Sequence, residues 1–382
     1  MNTRIPSFLS RPVALAAAAL ATALLAAGPA QAAHGVAATA GQADATPSSR
    51  PLPVVASFSI LADLVKQVGG DRVAVESLVK AGGDTHVFQP GPAQVRQLSS
   101  ASLVVVNGLG FEGWMPRLIG SSGYKGPVVE AARGLQAMKA TDDHHHHGDD
   151  ADEDDHDHDG PHGHDHDHDH DGPHGRDHDE DGPHGHSHAD HDHDEASHGH
   201  HHHHHGGLDP HAWQDALNVR HYVANIAEGL CRAAPADCGG FRERARAYDQ
   251  KLLELDQEIH QAVDATPTDR RRVMVSHAAF GYYGRAYHII FMAPVGVSTE
   301  EEPSAAVVAN LIRQARQQNV QAFFFENNSD PRLLKRMASE LKNVTIGELY
   351  ADSLSPANGP AADYLSMMRY NTRAITQALS KK

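Results

Sequence analysis

Apolar and polar positions along this chain alternate between a strand-like and a helix-like period. Pro53-Val54-Val55-Ala56-Ser57-Phe58 is a strand-length apolar run, and Ile60 to Val68 follows with helical spacing until Gly69-Gly70 stops it. A second strand is expected at Val73 to Val79, followed by the turn-rich Gly82-Gly83-Asp84 and a short helix from Pro92 to Leu98. Leu103 to Val106 is a continuous apolar strand running into Asn107-Gly108. A helix from Trp114 to Ile119 and a strand from Pro127 to Val129 complete the set. Such alternation predicts a parallel sheet covered on both faces.

After a long polar interruption, Asp209-Pro210-His211 opens a helical stretch through Asn225 to Leu230. Phe241 to Val263 is an unbroken helical pattern with Leu252, Leu255, Ile259 and Val263 on one side. At about 1.5 Å per residue it spans roughly 35 Å, enough to bridge two lobes. The second half then repeats the first. Strands are expected at Val273 to Val275, His288 to Met292, Val320 to Phe325 and Val344 to Ile346, and helices at Ser304 to Gln318, Pro331 to Leu341 and Ala361 to Leu379. The expected fold is α/β: two similar lobes, each a mainly parallel sheet flanked by helices, joined by one long rigid helix. Ligands of open α/β sheets bind beyond the carboxyl ends of the strands, which puts the site in the interlobe cleft.

The N-terminus reads as an export signal. Arg4 and Arg11 precede the apolar run Val13 to Ala27, and Ala30-Gln31-Ala32 fits cleavage near Ala32. No cysteine follows that run, so a lipid anchor is not supported, and no membrane span is expected after signal removal. The expected organisation is a signal peptide (1–32), a flexible leader (33–51), an N-terminal lobe (52–240) containing a disordered insertion (142–206), a linking helix (241–266) and a C-terminal lobe (267–382). In the periplasm the two cysteines, Cys231 and Cys238, favour a local disulfide. Metal binding is the alternative, although no nearby histidine pair completes a zinc-finger pattern.

Charge divides the chain sharply. Between His144 and His205 stand 25 histidines and 20 carboxylates with a single base, Arg176. This tract contributes −19 of the formal −17, leaving +2 elsewhere, so the folded part has no basic surface for nucleic acid. Lacking apolar residues, the tract cannot offset its ordering entropy. Its imidazoles and carboxylates suit zinc and neighbouring transition metals. His144, His145, His146, His147, His164, His166, His168, His201, His202 and His203 exemplify a weak, auxiliary metal-collecting loop.

Seven histidines lie outside it. His86, His211 and His277 fall where loops leave strands or enter helices, and Asp352 follows the last strand. These four are the candidate site. His221 and His260 sit mid-helix in polar surroundings and read as surface residues, His288 as structural, and His34 as part of the leader. Asp84 and Glu112 are weighed as carboxylates orienting a ligand or as solvated loop acids, Glu300-Glu301-Glu302 as helix capping or docking acids, and Trp114 and Trp213 as packing residues.

The segments Gly83-Asp84-Thr85-His86-Val87-Phe88-Gln89-Pro90, Asn107-Gly108-Leu109-Gly110-Phe111-Glu112, Asp209-Pro210-His211-Ala212-Trp213, Ser276-His277-Ala278-Ala279-Phe280-Gly281-Tyr282, Ser298-Thr299-Glu300-Glu301-Glu302-Pro303-Ser304 and Leu349-Tyr350-Ala351-Asp352 occur in that order. Together they resemble the metal-specific solute-binding proteins of bacterial ABC importers, the zinc and manganese uptake class. The resemblance implies first-lobe ligands His86 and His211 and second-lobe ligands His277 and Asp352. It also implies an inner-membrane permease with its ATPase as partner. Manganese-type members usually carry a carboxylate where His277 stands, and the histidine-rich insertion is similar to zinc-uptake members.

The expected function is therefore periplasmic capture of Zn2+ as transported ligand by a monomer, without catalysis. A zinc hydrolase would need an open coordination position and a general base, and no His-Glu-x-x-His helix is present. Manganese or other divalent-metal capture, and a periplasmic zinc storage or chaperone protein, are the alternatives.

Overall fold

The computed structural model describes residues 50–140 and 207–381. The expected signal peptide, nearly all of the leader, and the histidine tract lie outside the described residues.

Two four-stranded sheets repeat one construction. In the first, β1 (Leu52–Phe58), β2 (Val73–Val79), β3 (Leu103–Val106) and β4 (Val128–Glu130) stand in the order β2-β1-β3-β4. All pairings are parallel, with Leu52 opposite Val73, Val54 opposite Leu103 and Val104 opposite Val128. Every residue of β3 is buried, which requires cover on both faces. Helix α1 (Ser59–Gly69) packs on β1 and β2, and α2 (Pro92–Ser99) packs on β2 and on α3 (Met115–Ser122). Helix α4 (Ala216–Ala233) packs on β3 and β4.

Helix α5 (Cys238–Asp264) then carries the chain to the second sheet. Its buried residues Phe241, Ala245, Tyr248, Leu252, Leu255, Ile259 and Val263 recur at spacings of three and four, forming one stripe against α1, α4 and α9 (Tyr364–Ser380). A disulfide between Cys231 and Cys238 ties the end of α4 to the start of α5. The second sheet contains β5 (Arg272–Val275), β6 (Ile290–Met292), β7 (Ala322–Glu326) and β8 (Thr345–Leu349) in the order β6-β5-β7-β8, again parallel. Helices α6 (Gly281–Tyr287), α7 (Ala305–Gln317) and α8 (Arg332–Ser339) belong to this half. The terminal α9 packs on β8 and also reaches back to α1 and α5, where the Tyr364 amide donates to Asp63 at 2.9 Å.

Three local expectations need correction. The expected strand beginning at His288 starts at Ile290, because His288 occupies the left-handed region (φ 57°) and ends α6. Glu300, Glu301 and Glu302 precede α7 and do not form its first turn, which is capped by Ser304 accepting from the Val307 amide. The helix expected from Asp209 starts at Ala216, after a 3-10 turn at Ala212–Gln214.

The chain leaves the described region at Ala140 and returns at Gly207, whose carbonyl accepts the Ala140 amide at 2.9 Å. Lys139 and Leu208 form an antiparallel bridge. The described residues on either side of the tract are thus joined immediately before Asp209-Pro210-His211. No helix among the described residues is long and apolar enough to cross a membrane.

Candidate metal centre

The strand order opens a crevice between β1 and β3, where successive connections run in opposite directions. Phe58 ends β1, Phe111 follows β3, and both rings pack on Trp213 at centroid distances of 5.1 and 4.8 Å. Trp213 thereby anchors the turn after His211 over the crevice. His86 comes from the loop after β2, with its ring edge-on to Phe111 at 4.8 Å. His277 stands two residues beyond β5, and Asp352 three beyond β8. The carboxyl ends of both sheets therefore supply the four candidate side chains.

All four are buried, and one donor atom from each lies within 4.8 Å of the others. His211 Nε2 is 3.3 Å from His86 Nε2 and 3.4 Å from His277 Nε2. Asp352 Oδ2 is 3.4 Å from His86 Nε2 and 3.2 Å from His277 Nε2, while its Oδ1 is 3.5 Å from His211 Nε2. Neither Asp352 oxygen accepts a hydrogen bond, although the residue is wholly buried. With a buried carboxylate faced only by imidazole nitrogens at these distances and without a hydrogen bond of its own, the cluster is a donor set that could hold a cation.

Two imidazoles are oriented from behind. His211 Nδ1 is 2.8 Å from Asp209 Oδ1, and His277 Nδ1 is 2.5 Å from Glu326 Oε2. Each contact fixes the ring and leaves Nε2 facing the cluster. Glu326 closes β7, which pairs with β5 so that Val275 faces Phe324; this register brings its carboxylate beneath His277. Its Oε1 also accepts the His277 amide at 3.2 Å.

The charges follow the same division. Burial lowers the pKa of His86, and nearby Asp352 offsets this only in part. Burial also opposes protonation of His277, but Glu326 and Asp352 outweigh it and hold this imidazole well above its usual value. For Asp352, burial acts upward, whereas His277 and His211 pull the carboxyl well below its usual range.

The supporting residues differ from expectation. Asp209 and Glu326, absent from the sequence-based candidates, contact the histidine rings. Glu112 instead accepts from Ser57 and the Asn107 amide, both at 2.6 Å, and braces the loop after β3. Asp84 accepts the His86 amide at 2.9 Å and so holds backbone, not ring. The two tryptophans do more than pack: Trp114 donates to the Thr85 carbonyl at 2.8 Å, and Trp213 to the Ala351 carbonyl at 2.9 Å. Gln214 donates to the same Ala351 carbonyl at 2.8 Å, next to Asp352. His221 is exposed, and His260 contacts the Tyr287 ring, both away from the cluster. A cavity of about 500 Å³ beside His277 is lined in part by Asp84, Thr299, Glu301, Glu302, Glu326 and Asp330.

Residues 54–378 match the family model described as ZnuA, zinc-uptake complex component A, periplasmic. The chain is 26% identical over 346 residues to the manganese ABC transporter substrate-binding lipoprotein PsaA of Streptococcus anginosus, covering 91% of this chain and 94% of that protein. It is 25% identical over 330 residues to the manganese-binding lipoprotein MntA of Halalkalibacterium halodurans, covering 86% and 89% respectively. Among solved structures, the periplasmic zinc-binding protein TroA of Treponema pallidum superposes with a TM-score of 0.66 at 24% identity, covering 87% of this chain and all of TroA. The Mn-bound periplasmic metal-binding protein of Candidatus Liberibacter asiaticus gives 0.64 at 21% identity, with 86% and full coverage. At these identities the structural likeness is one of fold.

Proposed function

We propose zinc as the cargo of this chain, which belongs to the periplasmic component A family of zinc-uptake complexes. As a member it is the metal-binding solute-binding component of an ABC importer, serving a membrane permease and its ATPase, and it is not an enzyme. In this reading His86, His211, His277 and Asp352 hold one divalent ion between the lobes, here divided at a linking helix over 241–266, and a monomer releases it to the permease.

The carrying observation is the spacing of the four buried donors. With Oδ2 as the Asp352 donor, four of the six separations lie between 3.2 and 3.4 Å, and the four donors all lie within 4.8 Å of one another. A tetrahedron around zinc at about 2.0–2.1 Å has edges of about 3.3 Å, which those four separations match. Three imidazoles and one carboxylate also favour zinc over manganese, which prefers oxygen-rich, higher-coordinate shells. The names of the relatives divide between the two metals, and the donor set supports zinc. Four protein ligands leave no open position for an activated water.

The histidine tract 142–206 serves in this proposal as an auxiliary collector. The described residues flanking it pair at Ala140–Gly207 and Lys139–Leu208, four and three residues before His211, which supports delivery toward the cleft. Many weak ligand sets tethered there raise the local metal concentration.

The test is competitive metal binding to protein lacking residues 142–206. One tight equivalent that prefers zinc to manganese is expected, with the weak equivalents removed by the deletion. Manganese preference would overturn the cargo assignment. Loss of the tight equivalent would overturn the division between site and tract.

A further inference from the structure

His86 lacks the rear support of the other two imidazoles, since no carboxylate among the described residues is hydrogen-bonded to its Nδ1. Its loop is held differently. Asp84 Oδ1 accepts the His86 amide at 2.9 Å, and Asp84 Oδ2 accepts the Thr299 hydroxyl at 2.7 Å. Thr299 lies between β6 and α7, so this single carboxylate ties the second lobe to the backbone of His86. Both residues line the cavity beside His277.

We propose that Thr299 and Asp84 form an interlobe latch that positions His86 on the bound ion and slows the ion's release. The inference rests on the reading of His86 as a ligand. The bond requires the β2–α2 loop and the β6–α7 segment to face each other across the cleft. Parting the lobes breaks it and frees the His86 backbone. The hydroxyl–carboxylate bond therefore acts on dissociation, after the ion has already been met in the open cleft. A second crossing on the same loop, from the Gly82 amide to Ser353 Oγ at 2.6 Å, does not involve Thr299 and remains when that hydroxyl is removed. Asp84 and Thr299 are positioning residues; neither is assigned to the ion.

The experiment uses the full chain loaded with zinc and mixed with excess chelator, following the slow phase of one equivalent. Thr299→Val removes the donor at nearly constant shape, and Thr299→Ser restores it. Losing a charge-assisted hydrogen bond predicts about tenfold faster release from Thr299→Val. The zinc association rate and the metal-free melting temperature should stay at parent values, and Thr299→Ser should release zinc at the parent rate. Parent-like release from Thr299→Val, failure of serine to rescue, or a change confined to association would each overturn the latch. His86→Ala separates the two levels. If it loses the slow equivalent while Thr299→Val behaves as the parent, only the latch falls; if it keeps the slow equivalent, the ligand reading falls as well.

Discussion

His211 and His277 each rest on a buried carboxylate behind the ring, whereas His86 has none there among the described residues. It relies on its backbone, its packing against Phe111 and its neighbours in the cluster. The first two rings are fixed by Asp209 at 2.8 Å and Glu326 at 2.5 Å. His211 is further tied to the second half, because Tyr282 donates to the Asp209 carbonyl at 3.1 Å and Tyr364 to the Trp213 carbonyl at 2.7 Å. The loop of His211 is thus tied to both halves, since Asn107 of the first also donates to the Pro210 carbonyl at 2.9 Å. In the proposed reading His211, His277 and Asp352 form a bowl, and His86 closes it.

The strongest way to break this comparison is to remove a bowl imidazole. His277→Ala should weaken the tight zinc equivalent by on the order of a thousandfold, leaving a carboxylate and two rings where zinc wants four donors. His86→Ala should cost less because the bowl survives; chelator-competition titrations of both variants compare them directly. Equal losses would erase the distinction. Next come the rear carboxylates. Glu326→Gln and Asp209→Asn should each weaken zinc by about 10–100-fold, the usual effect of losing such support. Asp84→Asn should stay below that range, since it touches no ring.

Metal removal is a smaller, global effect. At a hundredfold excess over Kd, zinc adds roughly 2.7 kcal/mol to the folded state. For a folded part of this size, that raises the melting temperature by about 5–10 °C, reversed by chelator in differential scanning calorimetry. The smallest effect expected is that of Trp213→Phe, which keeps the ring against Phe58 and Phe111 but loses the bond to the Ala351 carbonyl. Gln214 still holds that carbonyl, so zinc affinity should fall only about three- to tenfold by the same titration.

Much of this was legible in the chain. The alternation of apolar runs and helical stretches marked both sheets, since buried parallel strands read as continuous Val, Ile, Leu and Phe. The four cluster residues stood out because each follows a strand or precedes a helix in an otherwise histidine-poor background. Helix α6 was not legible: Gly281-Tyr282-Tyr283-Gly284 has poor helix propensity, and tertiary burial of Tyr282, Tyr283 and Tyr287 imposes the helix. His288 looked like a strand residue because nothing local marks a left-handed cap when the residue is not glycine or asparagine. Glu326 was missed because its role depends on β5–β7 pairing across about fifty residues. An acid ending the buried run Ala-Phe-Phe-Phe-Glu was nevertheless a readable sign. Asp209 was in view, two residues before His211, but its ring contact needs the local turn in which the His211 amide also donates to Asp209 Oδ1 at 2.9 Å.

The most direct test of the account is X-ray absorption at the zinc edge on protein lacking residues 142–206 and loaded with one equivalent. The account predicts four nitrogen and oxygen neighbours at about 2.0 Å, with outer-shell scattering from three imidazoles that falls to two in His86→Ala. Five or six neighbours at longer distance, or an unchanged imidazole count in His86→Ala, would contradict it.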